Sequence, residues 1–281
     1  MEIKKANGIG FCLGVRRAID ILERVAAEYG GVETLGAVVH NQQVLRRLAD
    51  IGVKVVKDIS DIKGGVVVTS SHGVSPQVIE EIRSRGIEVV DTTCPFVKRA
   101  QVAARRLTES GFSTIVYGDT GHPEVKGILG RTQGKGTATL DATEITLRKK
   151  LPRRLGVLSQ TTQIPSGFAD FVRKLIASPS FKDTELRIID TICHDIRQRQ
   201  SNSLGLAKES DLVIVVGGHT SANSRHLVEL CSTLTETHLV ETADEIQPSW
   251  LEGKRFIGVT SGASTDEQTI DEVIAKLEAM A

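Results

Sequence analysis

The stretch 87–107, IEVVDTTCPFVKRAQVAARRL, decides the fold. A β-rich apolar run ends in Asp91-Thr92-Thr93-Cys94 and turns directly into a helical pattern after Pro95. The same plan recurs at 186–207, LRIIDTICHDIRQRQSNSLGLA, with Cys193. A third thiol, Cys12 in ANGIGFCLGVRRAIDILERVA (6–26), also follows a short strand-like lead and opens a helix. The three thiols divide the chain into near-thirds. This predicts three similar α/β units, each offering one thiolate from a helix N-terminus toward a common centre. Helix N-termini carry partial positive charge and lower a thiol's pKa, which favours the thiolate that binds metal. Three thiolates on one metal centre leave a position open, and open positions are where metal sites do chemistry.

Outward from the cysteines, strand-length apolar runs alternate with helical patterns. GGVVVTSSHGVS (64–75) leads into PQVIEEIRSRG, and STIVYGDTGHPE (113–124) into VKGILG. RLGVLSQTTQIP (154–165), DLVIVVGGHTSANS (211–224) and RFIGVTSGAST (255–265) behave alike. Such alternation predicts βαβ units and mostly parallel sheets. The expected architecture is α/β, with three similar domains around a centre: 13–94, 95–192, and 193–281 together with 1–12. In these folds ligands bind beyond the carboxyl ends of the strands. Here the polar segments SSHGVS, GDTGHPE, SQTT, GGHTSANS and SGAST all fall at that edge, with the cysteine loops, and point to a single central site.

Composition narrows the function. The chain has 281 residues, with Lys+Arg and Asp+Glu both 35. Zero net charge excludes binding of nucleic acid by bulk charge. No apolar run approaches the roughly 20 residues that span a bilayer, and MEIKKANGIG lacks a signal-peptide core. The expectation is a cytoplasmic protein with no membrane partner, whose cysteines are ligands or catalysts and not disulfide halves. The basic cluster LRKKLPRR (147–154) is expected on the solvated surface.

Each candidate group has a bland and a functional reading. Cys231, inside the helical run RHLVELCSTL, reads as a small buried hydrophobe. The shared setting of Cys12, Cys94 and Cys193 argues against that for them. Structural zinc uses closely spaced pairs and four ligands, so single, distant thiols fit an iron–sulfur cluster with one exposed iron better. His40, His72 and His122 stand at strand-to-helix junctions beside hydroxyls and glycines. Imidazolium together with helix-start N–H groups is a common way to hold phosphate. His219, His226 and His238 read as structural or surface, and His194 as a neighbour of the metal site. Ser221, Asn223 and Ser224, and Ser264 and Thr265, lie on loops that open helices; capping and anion binding are compatible there. Glu124 reads equally as a first-turn carboxylate favoured by the helix dipole or as a proton donor. Thr161 could position it.

Taken together, these residues resemble the 4-hydroxy-3-methylbut-2-enyl diphosphate reductase family, which acts last in the methylerythritol phosphate route to isoprenoids. GFCLGVRRA, VVHN, SHGVS, DTTCP, GHPEV, SQTT, DTIC, SANS and SGAS appear in that family's order, across essentially the whole chain. The resemblance implies three α/β domains around a 4Fe-4S cluster held by Cys12, Cys94 and Cys193. The one open iron takes the substrate's 4-hydroxyl; its lability allows a 3Fe-4S form in isolated protein. It implies reductive loss of that hydroxyl as water with two electrons and two protons, giving isopentenyl or dimethylallyl diphosphate. His40, His72, Ser221, Asn223 and Ser264 would grip the diphosphate. Glu124 would deliver protons, with His122 and Thr161 in its hydrogen-bond network and in contact with substrate. The electron donor would be of ferredoxin or flavodoxin type. Ala222, Gln101 and His194-Asp195 stand where the family commonly has Ser, His and Asn-Ala, which leaves room for a paralogue acting on another allylic diphosphate. An iron–sulfur redox sensor and a zinc hydrolase are the other readings. A sensor has no need of the phosphate-gripping set or of Glu124, and visible absorbance of anaerobically purified protein separates iron–sulfur from zinc.

Overall fold

A computed structural model describes residues 1–147, 151–181 and 183–280; within the basic cluster, 148–150 lie outside the described residues. In chain order the elements begin β1 (Glu2–Lys5), α1 (Leu13–Tyr29), β2 (Val32–Leu35), α2 (Gln42–Asp50), β3 (Val53–Val56), β4 (Val66–Thr69), α3 (Pro76–Ser84) and β5 (Glu88–Val90). They continue with α4 (Pro95–Glu109), β6 (Ser113–Tyr117), α5 (Pro123–Leu129), β7 (Gly136–Thr139), α6 (Thr143–Thr146), β8 (Arg154–Ser159), α7 (Pro165–Ala177) and β9 (Glu185–Ile189). The last are α8 (His194–Lys208), β10 (Leu212–Val216), α9 (Ala222–Cys231), β11 (Glu236–Val240), β12 (Phe256–Ser261) and α10 (Glu267–Ala279).

The strands form three four-stranded sheets, ordered β3-β2-β4-β5, β7-β6-β8-β9 and β11-β10-β12-β1. Their pairing is parallel: β4 with β2 and β5, β8 with β6 and β9, β12 with β10 and β1. Counting strands within each sheet, the three orders are the same: second, first, third, fourth. The third sheet obtains its fourth strand from the N-terminus, so β1 does there what β5 and β9 do in the other two. In this order the chain turns outward from the first strand to the second, then crosses back to the third. The crevice between first and third strands is the switch point at which open parallel sheets bind ligands.

Burial follows from the parallel arrangement, which covers both faces of a central strand. Every residue of β10 is buried. Leu212, Ile214 and Val216 pack with Ile257, Val259 and the α10 residues Ile270, Val273 and Leu277. Val213 and Val215 face the other way, onto Ala207, Leu227 and Cys231. The second sheet is covered likewise, by α7 residues Phe168, Phe171 and Leu175 on one face and by α4 and α5 residues on the other. Helix α1 buries Val15, Ala18, Ile19, Leu22, Val25 and Ala26, a stripe at helical spacing, and ends at Gly30 in the left-handed region that glycine tolerates. The chain divides into two compact units: Met1–Gly31, Ala37–Lys54 and His194–Ala281 form one, Val32–Gly36 and Val55–Cys193 the other.

Candidate active site

The four cysteines are free thiols. Cys231 is fully buried in the core beside α8, where burial raises its pKa to about 11, as expected of an inert hydrophobe. The other three stand where the fourth strand of a sheet gives way to a helix. Cys12 caps α1, its Sγ accepting the Val15 N–H at 3.4 Å; Cys94 caps α4; Cys193 directly precedes α8. Their backbones are held in one way. The Cys94 N–H donates to Ser71 O (3.0 Å), Cys193 N–H to Thr161 O (2.9 Å) and Cys12 N–H to Ala263 O (3.0 Å). Each acceptor lies two residues beyond the end of its sheet's third strand.

The Asp-Thr-x-Cys repeat explains two of these loops. Asp91 Oδ1 accepts the Thr93 N–H (2.9 Å) and Asp190 Oδ1 the Ile192 N–H (3.1 Å), local turns that short carboxylates favour. The Thr92 and Thr191 hydroxyls donate to the last carbonyls of their third strands, Thr69 O and Ser159 O. This ties each cysteine loop to the neighbouring loop across the sheet end. The donor set fits an iron–sulfur centre: three separate thiols, each at a helix start, with the one remaining cysteine sequestered. The expected lowering of thiol pKa at a helix N-terminus is not the net effect at Cys12. Burial pushes that thiol up, and the Val15 N–H and the Arg199 guanidinium oppose it only in part.

In the second sheet, first and third strands deliver a buried carboxyl and its partner. Glu124, at the start of α5, is 1% exposed. Its Oε1 accepts the Thr161 N–H at 2.7 Å and its Oε2 the Thr161 hydroxyl at 2.9 Å. Burial raises its pKa from 4.5 to about 7, against the lowering effect of both Thr161 bonds. His122 caps α5 by accepting the Glu124 N–H on Nδ1 (3.2 Å), which leaves Nε2 as the hydrogen-bearing nitrogen of a neutral ring. His72 meets His122 edge to face, with ring centroids 5.3 Å apart. Four expected residues, His72, His122, Glu124 and Thr161, therefore come together in one unit with Cys94 and Cys193.

The other unit assembles the hydroxyl and amide donors with Cys12. Ser221 caps α9 by accepting the Ser224 N–H (3.3 Å). Asn223 is 4% exposed, and neither its Oδ1 nor its Nδ2 has a partner among the described residues. Buried amides are rarely left so, and Asn223 reads as a group whose partner is a ligand or water. Gly217 and Gly262 let the two loops close: a Cβ on either would come within 2.3 Å of Ser224 Oγ. Gly218 does the same for the His40 segment, since a Cβ there would lie 2.1 Å from His40 O. Ser264 is buried on the loop after β12.

His40 lies at the expected strand-to-helix junction, on the loop between Leu35 at the end of β2 and the Asn41 cap of α2. Burial, with Arg225 nearby, lowers the His40 pKa, which works against the imidazolium form. His194 is exposed at the start of α8, directly after Cys193. His219 and His238 pair with Glu245 and Glu236 at 2.8 Å, as structural histidines. Gln160 escaped the sequence reading. Fully buried, it accepts the Asp119 N–H (3.1 Å) and donates to Thr162 (3.1 Å), shaping the loop that carries Glu124. Its only signal was its position in SQTT.

Three parallel sheets of one strand order, with a cysteine after each fourth strand and a buried carboxyl at one switch point, define an α/β fold of a reductase class. The chain belongs to the LytB protein family, which it matches over residues 3–278. It is 60% identical to 4-hydroxy-3-methylbut-2-enyl diphosphate reductase of Dehalococcoides mccartyi, covering 99% of this chain and 98% of that one. It is 41% identical to the protein of that name from Geobacter metallireducens, covering 99% and 97%. Its fold matches the solved structure of the E-1-hydroxy-2-methyl-but-2-enyl-4-diphosphate reductase from Plasmodium falciparum with a TM-score of 0.91 at 26% identity, over 97% of this chain and 86% of that one.

Proposed function

We propose that this protein removes the 4-hydroxyl of 4-hydroxy-3-methylbut-2-enyl diphosphate, an oxidoreductase reaction of isoprenoid biosynthesis. Two electrons and two protons are consumed; the C–O bond breaks, the oxygen leaves as water, and isopentenyl and dimethylallyl diphosphate form. The observation that carries the reading, in a chain 60% identical to a reductase of that name, is Glu124: a carboxyl buried to 1% exposure and poised near pH 7. A group with a pKa near the working pH is the efficient proton donor.

The hydrogen bonds give Glu124 a route. As carboxylate it accepts from both Thr161 groups. Once protonated on Oε2 it becomes a donor there, and the Thr161 hydroxyl can accept that proton while directing its own hydrogen to a substrate oxygen, since a hydroxyl both donates and accepts. Thr161 thus links Glu124 to the leaving group. The diphosphate would be held by His40, His72, Ser221, Asn223 and Ser264. The unsatisfied Asn223 amide and the helix start capped by Ser221 support that part.

The cofactor we assign is an iron–sulfur cluster on Cys12, Cys94 and Cys193, of 4Fe-4S type with one open iron. When bound it supplies the electrons and a Lewis-acidic position for the substrate. A ferredoxin- or flavodoxin-type protein would be the electron donor and the cytoplasm the location. Among the described residues no helix is long and apolar enough to cross a membrane. Each sheet is then the core of one domain, 13–94, 95–192, and 193–281 with 1–12. The test is anaerobic turnover of the substrate with reduced methyl viologen, with analysis for both five-carbon products. Iron-loaded protein that consumes no substrate overturns the reading.

A further inference from the structure

The third cysteine loop lacks what holds the first two. Two residues before Cys94 and Cys193 stand Thr92 and Thr191, whose hydroxyls occupy the last carbonyl of the adjacent strand. Two residues before Cys12 stands Gly10, which has no side chain. The equivalent carbonyl, Ser261 O, is nonetheless taken: Arg199 Nη1 donates to it at 2.9 Å and also reaches Ser261 Oγ at 3.3 Å. The other arm, Nη2, donates to Gly10 O at 2.8 Å, while the Gly10 N–H donates to Ser261 Oγ at 2.9 Å. One guanidinium therefore clamps the Cys12 loop to the end of β12, the strand that leads to Ser264.

Helix α8 is built around this clamp. Its buried face is not apolar: Arg199, Gln200 and Ser203 are buried along with Ile196 and Leu206. Ser203 bonds Thr260 at 2.7 Å, and Asn202 reaches Asn7 O at 2.8 Å, so the same face grips both the N-terminal loop and β12. Arg199 is 5% exposed, and its Nε has no partner among the described residues. A buried cation is costly unless compensated. Burial lowers its pKa; the groups that work the other way are Cys12, then Asp195 one turn earlier on α8.

We propose that Arg199 is the positioning residue of the Cys12 loop, doing on Ser261 and Gly10 what the motif threonines do in the other two loops, and keeping Cys12 in register with the Ser264 loop. The proposal rests on the reading of Cys12 as a cluster ligand, but the clamp itself can be read without a cluster. The planar fork spans two carbonyls; a lysine ammonium keeps the charge without the fork.

The experiment is hydrogen exchange on the anaerobically purified full chain, comparing Arg199→Met and Arg199→Lys with the parent, together with iron per chain and affinity for inorganic diphosphate. The Gly10 and Cys12 amides report the clamp directly, since they donate to Ser261 Oγ and Ala263 O. Arg199→Met should speed exchange at both by about tenfold or more, lower iron retention under chelator and weaken diphosphate binding, with Arg199→Lys between it and the parent. Exchange at Cys94 and Cys193 should not change. If exchange at Gly10 and Cys12 is unaltered in both variants, or rises evenly over the whole chain, Arg199 is a general stability residue and the proposal is overturned. Should Arg199→Met fail to fold, Arg199→Lys carries the same comparison. Iron that is full in Cys12→Ser would instead overturn the ligand reading and leave the exchange result standing by itself.

Discussion

The second and third sheets share one strand order and one way of holding a cysteine amide, yet their switch points carry different chemistry. In the second, the loops after first and third strands meet as Glu124 and Thr161, a buried carboxyl and its hydrogen-bond partner, to which we assign proton delivery. In the third, the same loops bring Ser221, Asn223 and Ser264, neutral hydroxyl and amide donors at a helix start. The fourth-strand loops are tied differently, by Thr191 in the second sheet and Arg199 in the third, yet each gives its cysteine amide an acceptor two residues beyond the third strand. On the proposed reading, the repeated scaffold presents three thiols from helix starts, and the divergent switch-point loops would separate proton delivery from anion binding.

The largest effect that tests this division concerns the shared part. Replacing Cys12, Cys94 or Cys193 singly with Ser should strip iron and abolish turnover, all three alike, while Cys231→Ser should retain iron and rate because Cys231 sits in the core between α8 and α9. A Cys94→Ser protein with full iron content and activity would break the equivalence of the three loops.

Next comes the second sheet's own chemistry. Glu124→Gln keeps the shape but cannot supply a proton. Turnover should fall by about 10²–10⁴-fold with diphosphate affinity retained. In the parent, turnover should decline as pH rises through about 7, the pKa of Glu124, as the donor is lost. Stability follows the same group. Its pKa is raised on folding from 4.5 to about 7, so the folded state holds more proton between those values. Stability therefore falls as pH rises across that window, by about 3 kcal/mol in total. Glu124→Gln should flatten this slope in denaturant titrations at pH 5 and pH 8. A parent slope that persists in the variant would remove Glu124 as its source.

The third sheet should give the opposite kinetic pattern. Asn223→Ala or Ser264→Ala should weaken binding of inorganic diphosphate by roughly ten- to a hundred-fold, from about 1.5–3 kcal/mol per charge-assisted bond. The cluster and the rate at saturating substrate should be largely kept. Calorimetry with diphosphate alone separates the two sheets: a Glu124→Gln protein that loses binding, or an Asn223→Ala protein that keeps it, would merge their roles.

What could be read in the sequence follows from the same architecture. Among first and third strands, β10 (LVIVV) and β4 (VVVT) are buried on nearly every residue and appear as apolar runs, whereas β2 (VETL) alternates buried and half-buried residues; the loops after these strands carry the candidate residues. The second strands β3, β7 and β11 are edges with partial burial and mixed sequences such as GTAT and ETHLV, and carry no candidate residue, so nothing marked them. The Asp-Thr-x-Cys loops were legible because their Asp turns are local and the same four-residue pattern occurs twice. The tie of Cys12 was not, since its donor, Arg199, lies far along the chain on a helix without a clean apolar stripe. Nor could spacing show that 37–54 joins 194–281 in one compact unit.

The smallest expected effect distinguishes the two legible loops from each other. Thr92→Val removes one donor, leaving the buried Thr69 carbonyl without its hydroxyl partner; the Thr92 N–H still reaches Thr69 Oγ1 at 3.2 Å, since that bond uses the backbone. Thr191→Val removes more. The Thr191 hydroxyl both donates to Ser159 O and accepts the Ser159 N–H at 2.9 Å, so two buried backbone groups lose their partner. An unsatisfied buried group costs about 1–3 kcal/mol. Thr191→Val should therefore lower stability by about twice as much as Thr92→Val, at roughly 2–4 °C of melting temperature per kcal/mol for a chain of this size. Iron content should fall only slightly in either, because the Cys94 and Cys193 amides keep their own acceptors on Ser71 and Thr161. Equal melting temperatures in the two variants would mean that the second hydrogen bond of Thr191 contributes nothing, and that the two loops are equivalent in energy as well as in sequence.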